Sequence, residues 1–206
     1  MSVSITYNGH SCFTVSSEGC SIVFDPYSPG SVPGLKPLRL EADAVLCSHG
    51  HGDHGYAAAV KTSGRALPFA LETITCPHDD AGGAKRGMNI IHILTMGAVR
   101  LAHMGDIGYP LPENDLALLR GVDVLLLPVG GYYTIDAMQA NALADETGTR
   151  VVIPMHYRTA SSGFPVIAPL EDFLALRGNV QHFGDTLIVD EHTPECTAVL
   201  TQRFLA

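Results

Sequence analysis

The sequence predicts an α/β protein in which helices pack outside β-sheets, and three observations lead to that prediction. Apolar runs of strand length recur along the chain. Segments bounded by helix-start and helix-stop residues lie between them. Residues 122–127 and 151–153 are nearly continuous Val, Ile and Leu, which is typical of strands covered on both faces. Because strands and helices alternate coarsely, the pattern favours an α/β architecture.

The predicted strands are short, and each is identified by an apolar run or by alternation. In chain order they span residues 1–7, 12–15, 21–24, 44–47, 90–94, 99–103, 122–127 and 151–153, with a further short strand around residue 182.

Four segments are predicted helices: residues 56–62, 112–119, 135–147 and 169–176. Pro112 and Pro169 stand at the starts of two of them, and Gly178 lies just beyond the end of the last. The turn-rich segments 30–34 and 160–165 are interpreted as surface loops near a site. We therefore expect one domain over residues 1–206.

Composition limits the classes of function. The net charge is −9 and the Lys and Arg residues are dispersed, so we expect no nucleic-acid partner. No apolar run approaches the roughly 20 residues that cross a bilayer, and the start of the chain lacks the features of a secretory signal. Five scattered cysteines argue against a disulfide framework. These features predict a cytoplasmic protein with no membrane partner and leave open whether it forms a homo-oligomer.

One segment concentrates groups that bind metals. Residues 48–55 read Ser-His-Gly-His-Gly-Asp-His-Gly, directly after the predicted strand 44–47. His49 and His51 can reach one cation from an extended turn, while Asp53 and His54 can address a second. Imidazole nitrogens and a carboxylate suit zinc, and manganese or iron could also be bound. A surface loop with incidental histidines is the structural alternative.

Three further potential ligands stand at the ends of other predicted strands. His78 follows residues 74–77, Asp106 follows the strand that begins at Val99, and His156 follows the strand that begins at Val151. Functional groups in α/β proteins collect at one end of the strands. The sequence therefore predicts that these residues meet the 49–54 segment.

The segment His49-Gly50-His51-Gly52-Asp53-His54 matches the His-x-His-x-Asp-His signature of the metallo-β-lactamase superfamily. Residues 24–27, 105–108, 127–131 and 154–157 also resemble that superfamily's small bacterial hydrolases, including relatives of ascorbate-phosphate lactonase. The resemblance spans nearly the whole chain and implies an αββα sandwich with metals along one edge.

The resemblance also implies a ligand set for two divalent metal ions. The first ion would be held by His49, His51 and His78, and the second by Asp53, His54 and His156, with Asp106 bridging them. For the third ligand of the first ion, His92 and His103 compete with His78. Strand parity favours His78, since His92 lies inside an apolar strand and His103 would face away from Asp106.

Four more residues are candidates for supporting roles. Asp25 closes the strand 21–24 and, by resemblance, orients a metal ligand, although a plain turn aspartate is the alternative. His10 could contact substrate or hydrogen-bond a ligand. Gly131 and Tyr133 stand in a loop that could line a substrate site, or that merely turns the chain before a helix.

The implied activity is hydrolysis of a small ester, lactone or phosphodiester by hydroxide that a pair of cations generates at neutral pH. Asp53 would be a ligand that also holds the proton of the water. Two alternatives remain at the level of sequence. One is a nucleic-acid-processing phosphodiesterase, for which no basic clamp is visible, and the other is a metal-binding sensor or scaffold without catalysis.

Overall fold

Residues 2–206, which the computed structural model describes, form fourteen strands and three α-helices. The strands are β1 (Val3–Gly9), β2 (Cys12–Ser17), β3 (Cys20–Phe24), β4 (Leu40–Ala42), β5 (Ala44–Leu46), β6 (Val60–Thr62), β7 (Ala70–Pro77), β8 (Met88–Met96), β9 (Val99–His103), β10 (Val124–Pro128), β11 (Val151–Met155), β12 (Val180–His182), β13 (Thr186–Val189) and β14 (Cys196–Val199). The helices are α1 (Glu113–Leu119), α2 (Ala137–Thr147) and α3 (Leu170–Leu174).

The strands form two main sheets. The first has five strands in the order β13-β1-β2-β3-β5, and the second has seven in the order β12-β14-β11-β10-β9-β8-β7. Strands β9, β10, β11 and β14 are mutually parallel where they are neighbours. The predicted α/β class is confirmed, and so are the predicted strands from residue 2 onwards. Met1 lies outside the described residues.

The topology brings several strand ends to one edge of the molecule. In the first sheet β1 and β3 are both antiparallel to β2, and β5 is parallel to β3. In the second sheet β7 and β9 are both antiparallel to β8. The carboxyl ends of β1, β3 and β5 therefore point one way, as do those of β7, β9, β10 and β11. All seven ends lead into loops that carry the candidate site residues.

The core lies between the two sheets and beneath the helices. Phe13 and Phe24 of the first sheet and Ile91 and Leu101 of the second are fully buried in one apolar cluster. Helix α2 packs on β10 and contacts both other helices. Asp136 caps α2 by accepting a hydrogen bond from the Gln139 backbone N–H, and the Gln139 side chain accepts one from the Asp136 backbone N–H. This packing gives the site a rigid base.

The outer face of the first sheet is covered by irregular chain. Cys12 and Val23 point away from the interlayer core and pack with Tyr27, Val32 and Leu35. Segment 26–40 thus supplies the layer that the αββα expectation gives to helices.

The predicted helix over residues 56–62 was wrong. The segment forms one 3₁₀ turn, Ala57–Ala59, and then β6, which pairs in parallel with β4. Seven residues are too few for a helix to be stable without tertiary contacts, and β-branched Val60 and Thr62 favour an extended chain.

Among the described residues no helix is long and apolar enough to cross a membrane. The five cysteines are free thiols.

Candidate metal centre

Three histidines form one group of potential metal ligands. His49 and His51 extend from the end of β5, and His78 follows β7 of the other sheet. One ring nitrogen from each lies within 4.8 Å of the others. The ring centroids of His49 and His78 are 4.7 Å apart, and those of His51 and His78 are 5.3 Å apart. The structure therefore brings together the three histidines that the sequence assigned to the first ion.

A second group gathers Asp53, His54 and His156, with His10 beside them, within the same 4.8 Å limit. His54 Nε2 lies 3.6 Å from Asp53 Oδ2. His156 reaches this position from the end of β11, where it adopts φ 55°. A non-glycine residue in the left-handed region is strained, and such strain persists where the surroundings hold it in place.

Asp106 stands between the two groups. Its Oδ2 lies 3.2 Å from His54 Nε2, 3.2 Å from His156 Nε2 and 3.4 Å from His78 Nε2. Its carboxylate oxygen also groups with ring nitrogens of His49 and His54. One carboxylate is thus close to histidines of both groups.

The ring nitrogens approach Asp106 without hydrogen-bonding to it. His49 Nε2, His54 Nε2 and His156 Nε2 are buried and have no hydrogen-bond partner among the described residues, and the same holds for Asp106 Oδ1. Buried polar atoms normally have a partner. Two ligand atoms that each lie about 2.1 Å from a tetrahedral zinc ion are about 3.4 Å apart, close to the distances seen here. The side chains therefore fit divalent cations.

The electrostatics of the cluster are coupled. Burial and the neighbouring His54 lower the pKa of His49 to about 4. Burial also opposes charge on His54, yet the carboxylates of Asp106 and Asp25 raise its pKa well above the usual value. For Asp106, burial is outweighed by His156 and His54, which lower its pKa. At neutral pH Asp106 is therefore an ionised candidate ligand, and His49 carries a free lone pair.

Asp25 connects β3 to the cluster. It is fully buried, and its Oδ2 lies 2.7 Å from His54 Nδ1. The Ser48 backbone N–H donates to Oδ1 and the Ser48 hydroxyl to Oδ2, both at 2.6 Å. Ser48 Oγ is also 2.9 Å from His49 Nδ1. Because a carboxylate only accepts, it holds a proton on His54 Nδ1, so Nε2 is the nitrogen at which a cation would take the place of a proton.

His10 lies behind the cluster and is 1% exposed. Its Nε2 is 3.3 Å from Asp53 Oδ2, and its ring lies 4.2 Å from that of His156. Of the two roles considered for it, the geometry favours contact with a ligand residue over contact with substrate. Burial, together with His156, lowers the pKa of His10 to about 4.

The two competing histidines belong to the interlayer core. His103 is fully buried, stacks on Phe24 at 4.9 Å, donates to the Ser11 carbonyl through Nε2 and accepts the Gly105 N–H at Nδ1. Both of its nitrogens are therefore used. His92 pairs with His103 across β8 and β9 and packs near Phe24. Neither joins a group of potential ligands.

A close approach of backbone to side chain places Asp106. The Asp106 N–H donates to Asn89 Oδ1 at 2.8 Å, while the Asn89 amide donates to the Met104 carbonyl. Gly105 adopts φ 55°, and a Cβ there would lie 2.2 Å from Asn89 Oδ1 and 2.5 Å from Ser48 Cβ. Only glycine fits this position.

A cleft of about 280 Å³ opens onto the cluster. Its walls include His51, Asp53, Tyr133, Phe164 and Arg86. The rings of Tyr133 and Phe164 are 5.8 Å apart and close one side. Gly131 is buried in the turn that leads to Tyr133, with φ 63°. The sequence had indicated Tyr133 and Gly131; their contact with substrate stays a prediction.

Reasoning from the sequence missed Ser48, Asn89, Phe164 and Arg86. A weak signal existed for two of them. Asn89 is a polar residue directly before the predicted apolar strand 90–94, and Arg86 is a cation within a glycine-rich segment that follows a candidate ligand. Phe164 lies in the 160–165 loop, which was expected near a site.

Known proteins are similar to this chain in sequence and architecture. Residues 4–156 match the model of the beta-lactamase superfamily domain. The UPF0173 metal-dependent hydrolase of Carboxydothermus hydrogenoformans is 30% identical over 200 residues, covering 80% of this chain and 87% of that protein. The UPF0173 metal-dependent hydrolase of Korarchaeum cryptofilum is 29% identical over 213 residues, covering 85% and 92%.

A crystal structure from Thermotoga maritima, assigned to the Zn-dependent hydrolases of the metallo-beta-lactamase superfamily, is also similar. It superposes with a TM-score of 0.77 at 30% identity, covering 96% of this chain and 97% of that chain. Fold, ligand cluster and relatives together define a metal-dependent hydrolase. The chain belongs to the metallo-beta-lactamase superfamily.

Proposed function

We propose that this hydrolase acts on a small ester, lactone or phosphodiester with the help of two divalent cations, zinc being the first choice. The observation that supports the proposal is the convergence of unpaired, buried ring nitrogens of His49, His54 and His156 on the carboxylate of Asp106. A protein without metal would have to bury these polar atoms at a cost, whereas cations satisfy all of them.

The residues divide into two ligand sets. His49, His51 and His78 would hold one ion, and Asp53, His54 and His156 the other, with Asp106 shared. A pair of cations bound there would supply hydroxide at neutral pH and would polarise the oxygen of the carbonyl or phosphoryl group whose carbon or phosphorus is attacked. Histidine nitrogens with carboxylate oxygens suit zinc, and manganese or iron accepts the same donors.

The position and charge of Asp53 suit it to accept a proton. It borders the cleft, its side chain is 18% exposed, and its Oδ2 accepts a hydrogen bond from His10 at 3.3 Å. Burial opposes its ionisation, but His10 and His54 lower its pKa below the ordinary value. Asp53 is therefore a carboxylate at neutral pH and can accept a proton at Oδ2.

The size of the cleft favours a small-molecule substrate. Its volume of about 280 Å³ is just below the range for ligand pockets, which is about 300–1,000 Å³. Its described walls carry one permanent cation, Arg86, whereas tracking a nucleic-acid backbone needs a groove of several.

Metal content and turnover, measured together, test this proposal. We expect about two zinc ions per chain and turnover of some member of a panel of esters, lactones and phosphodiesters. His51→Ala and Asp106→Ala should lower kcat/KM at least about 100-fold. His192→Ala, which removes a histidine 84% exposed on the surface, is the matched control and should behave as wild type. Equal turnover by all four proteins would refute the assignment.

A further inference from the structure

Among the described residues that line the cleft, one cation has no carboxylate partner. Arg86 lines the cleft together with the candidate ligands Asp53 and Asp106. Among residues 2–206 its guanidinium makes no ion pair and no hydrogen bond, and it lies over the ring of Tyr133 with Cζ 5.4 Å from the centroid. That distance is within the range of a cation–π contact. The contact holds the side chain against the wall and leaves its N–H donors free.

Several hydrogen bonds fix the loop that carries Arg86. Asp79, 1% exposed, directly follows the candidate ligand His78. Its carboxylate accepts the backbone N–H groups of Ala81, Gly83, Lys85 and Arg86 at 2.7–2.9 Å. Asp79 is therefore a positioning residue for Arg86.

The ends of the same loop are closed as well. The His78 N–H donates to the Gly87 carbonyl at 3.0 Å, and the Gly87 N–H donates to the Gly83 carbonyl at 2.9 Å. The backbone of Arg86 is thus tied to the backbone of His78. A rigid connection of this kind keeps a recognition group at a fixed distance from a metal centre.

The neighbouring cation offers a contrast. Lys85 is 58% exposed and pairs with Asp80 at 2.6 Å, and it does not line the cleft. The chain has a net charge of −9, which repels anions in general. An unpaired guanidinium at the cleft therefore marks a local exception.

We infer that Arg86 binds an anionic group of the substrate, a carboxylate or phosphate, while Tyr133 and Phe164 contact the apolar part next to it. This inference rests on the proposed function, because the bond to be cleaved would lie at the Asp53–Asp106 side of the cleft. The planar guanidinium has two parallel N–H donors, which match the two oxygens of such a group. The substrate class is accordingly an anionic ester, lactone or phosphodiester.

A binding experiment tests Arg86 apart from catalysis. Benzoate and benzamide have the same shape and differ in charge, so the ratio of their dissociation constants isolates the anion. We expect zinc-loaded wild type to bind benzoate about tenfold more tightly, which corresponds to about 1.4 kcal/mol. Arg86→Gln should abolish that preference, Arg86→Lys should retain part of it, and Lys85→Gln should match wild type. If Arg86→Gln still prefers benzoate over benzamide as strongly as wild type, benzoate binds to the metals and not to Arg86, and the inference is overturned.

A kinetic experiment then separates this inference from the proposed function. Mono-4-nitrophenyl succinate and 4-nitrophenyl butyrate share a leaving group and differ in a terminal carboxylate. Arg86→Gln should lower kcat/KM for the succinate about tenfold and leave the butyrate within about twofold of wild type. Unchanged selectivity in an active variant refutes the anion site alone. An anion preference in benzoate binding without turnover of any ester, lactone or phosphodiester refutes the proposed hydrolysis alone.

Discussion

Replacing Asp25 by Asn is a sharp test of how the fold prepares the metal centre. The substitution keeps size and shape, and Asn tolerates the φ of 44° that Asp25 adopts. It removes the charge and replaces one acceptor oxygen with an amide donor. Opposite that position stand His54 Nδ1 at 2.7 Å and the Ser48 hydroxyl at 2.6 Å. The change therefore acts on hydrogen bonding and leaves packing almost untouched.

The pKa of Asp25 and its hydrogen bonds, which contribute to that pKa, both indicate the size of the effect on stability. Burial raises the pKa of Asp25, but His103, His54 and Ser48 outweigh it and bring the pKa to about 2, from an ordinary 3.8. That difference corresponds to about 2 kcal/mol of folding free energy at neutral pH. Hydrogen bonds to a charged group contribute about 1.5–3 kcal/mol each. We expect Asp25→Asn to lower the free energy of unfolding by about 2–4 kcal/mol.

The same substitution should weaken metal binding. Facing an amide donor, His54 would favour Nε2 over Nδ1 for its proton, and that proton would compete with a cation for the Nε2 lone pair. We expect zinc affinity to fall about 10- to 100-fold, the usual effect of losing a partner that orients a ligand. Competition with a chromophoric chelator measures the affinity, and urea unfolding measures the stability.

Acid titration and a control complete the test. The stabilising contribution of Asp25 is fully present above pH 3.8 and is lost as the pH falls towards 2, so wild type should lose it there and Asp25→Asn should not. Asp145→Asn, at a side chain that is 62% exposed, should cost less than about 1 kcal/mol. If Asp25→Asn retains both zinc affinity and stability, Asp25 does not orient His54.

Two further predictions concern stability. Chelation should lower the melting temperature by about 10 °C, because an ion present at about 1,000 times its Kd contributes about 4 kcal/mol, and added zinc should restore it; an unchanged melting temperature would contradict the metal assignment. Burial, assisted by His103 and opposed by Asp25, lowers the pKa of His92 to about 4. Its contribution to the free energy of unfolding is therefore complete above pH 6.5 and falls as the pH drops towards 4. Between pH 7 and pH 5, measured by urea unfolding, the free energy of unfolding of His92→Leu should fall by about 2 kcal/mol less than that of wild type. Equal losses would mean that His92 takes up its proton in the folded state.

Much of the fold could be predicted because buried strands have continuous apolar sequences. Strands β10 and β11 are apolar throughout and fully buried, so the predicted runs 122–127 and 151–153 lie within two residues of their bounds. The first half of β7 could not be found in this way, since residues 70–73 are all exposed on an edge strand and lack alternation. The β4–β6 ladder spans three residues on each side, and its pairing depends on contacts remote in sequence.

The site divides in the same manner. The histidines of segment 49–54 and the strand-end positions of Asp106 and His156 follow from ligand density and strand periodicity. The weak signal for Arg86 could not be tied to the cleft, because the course of its loop depends on four backbone N–H groups that converge on Asp79. Asn89 was missed for a related reason, since its backbone partners, Met104 and Asp106, lie in the loop after β9.

The candidate ligands are divided between the two sheets, with His49, Asp53 and His54 following β5 and His78, Asp106 and His156 following strands of the opposite sheet. Ions held by both sets would cross-link the two sheets. The hydrogen bond from His156 N to the His10 carbonyl also joins them. Sliding one layer over the other would then release the ions, so metal retention would report on distant interlayer contacts such as that between Phe24 and His103.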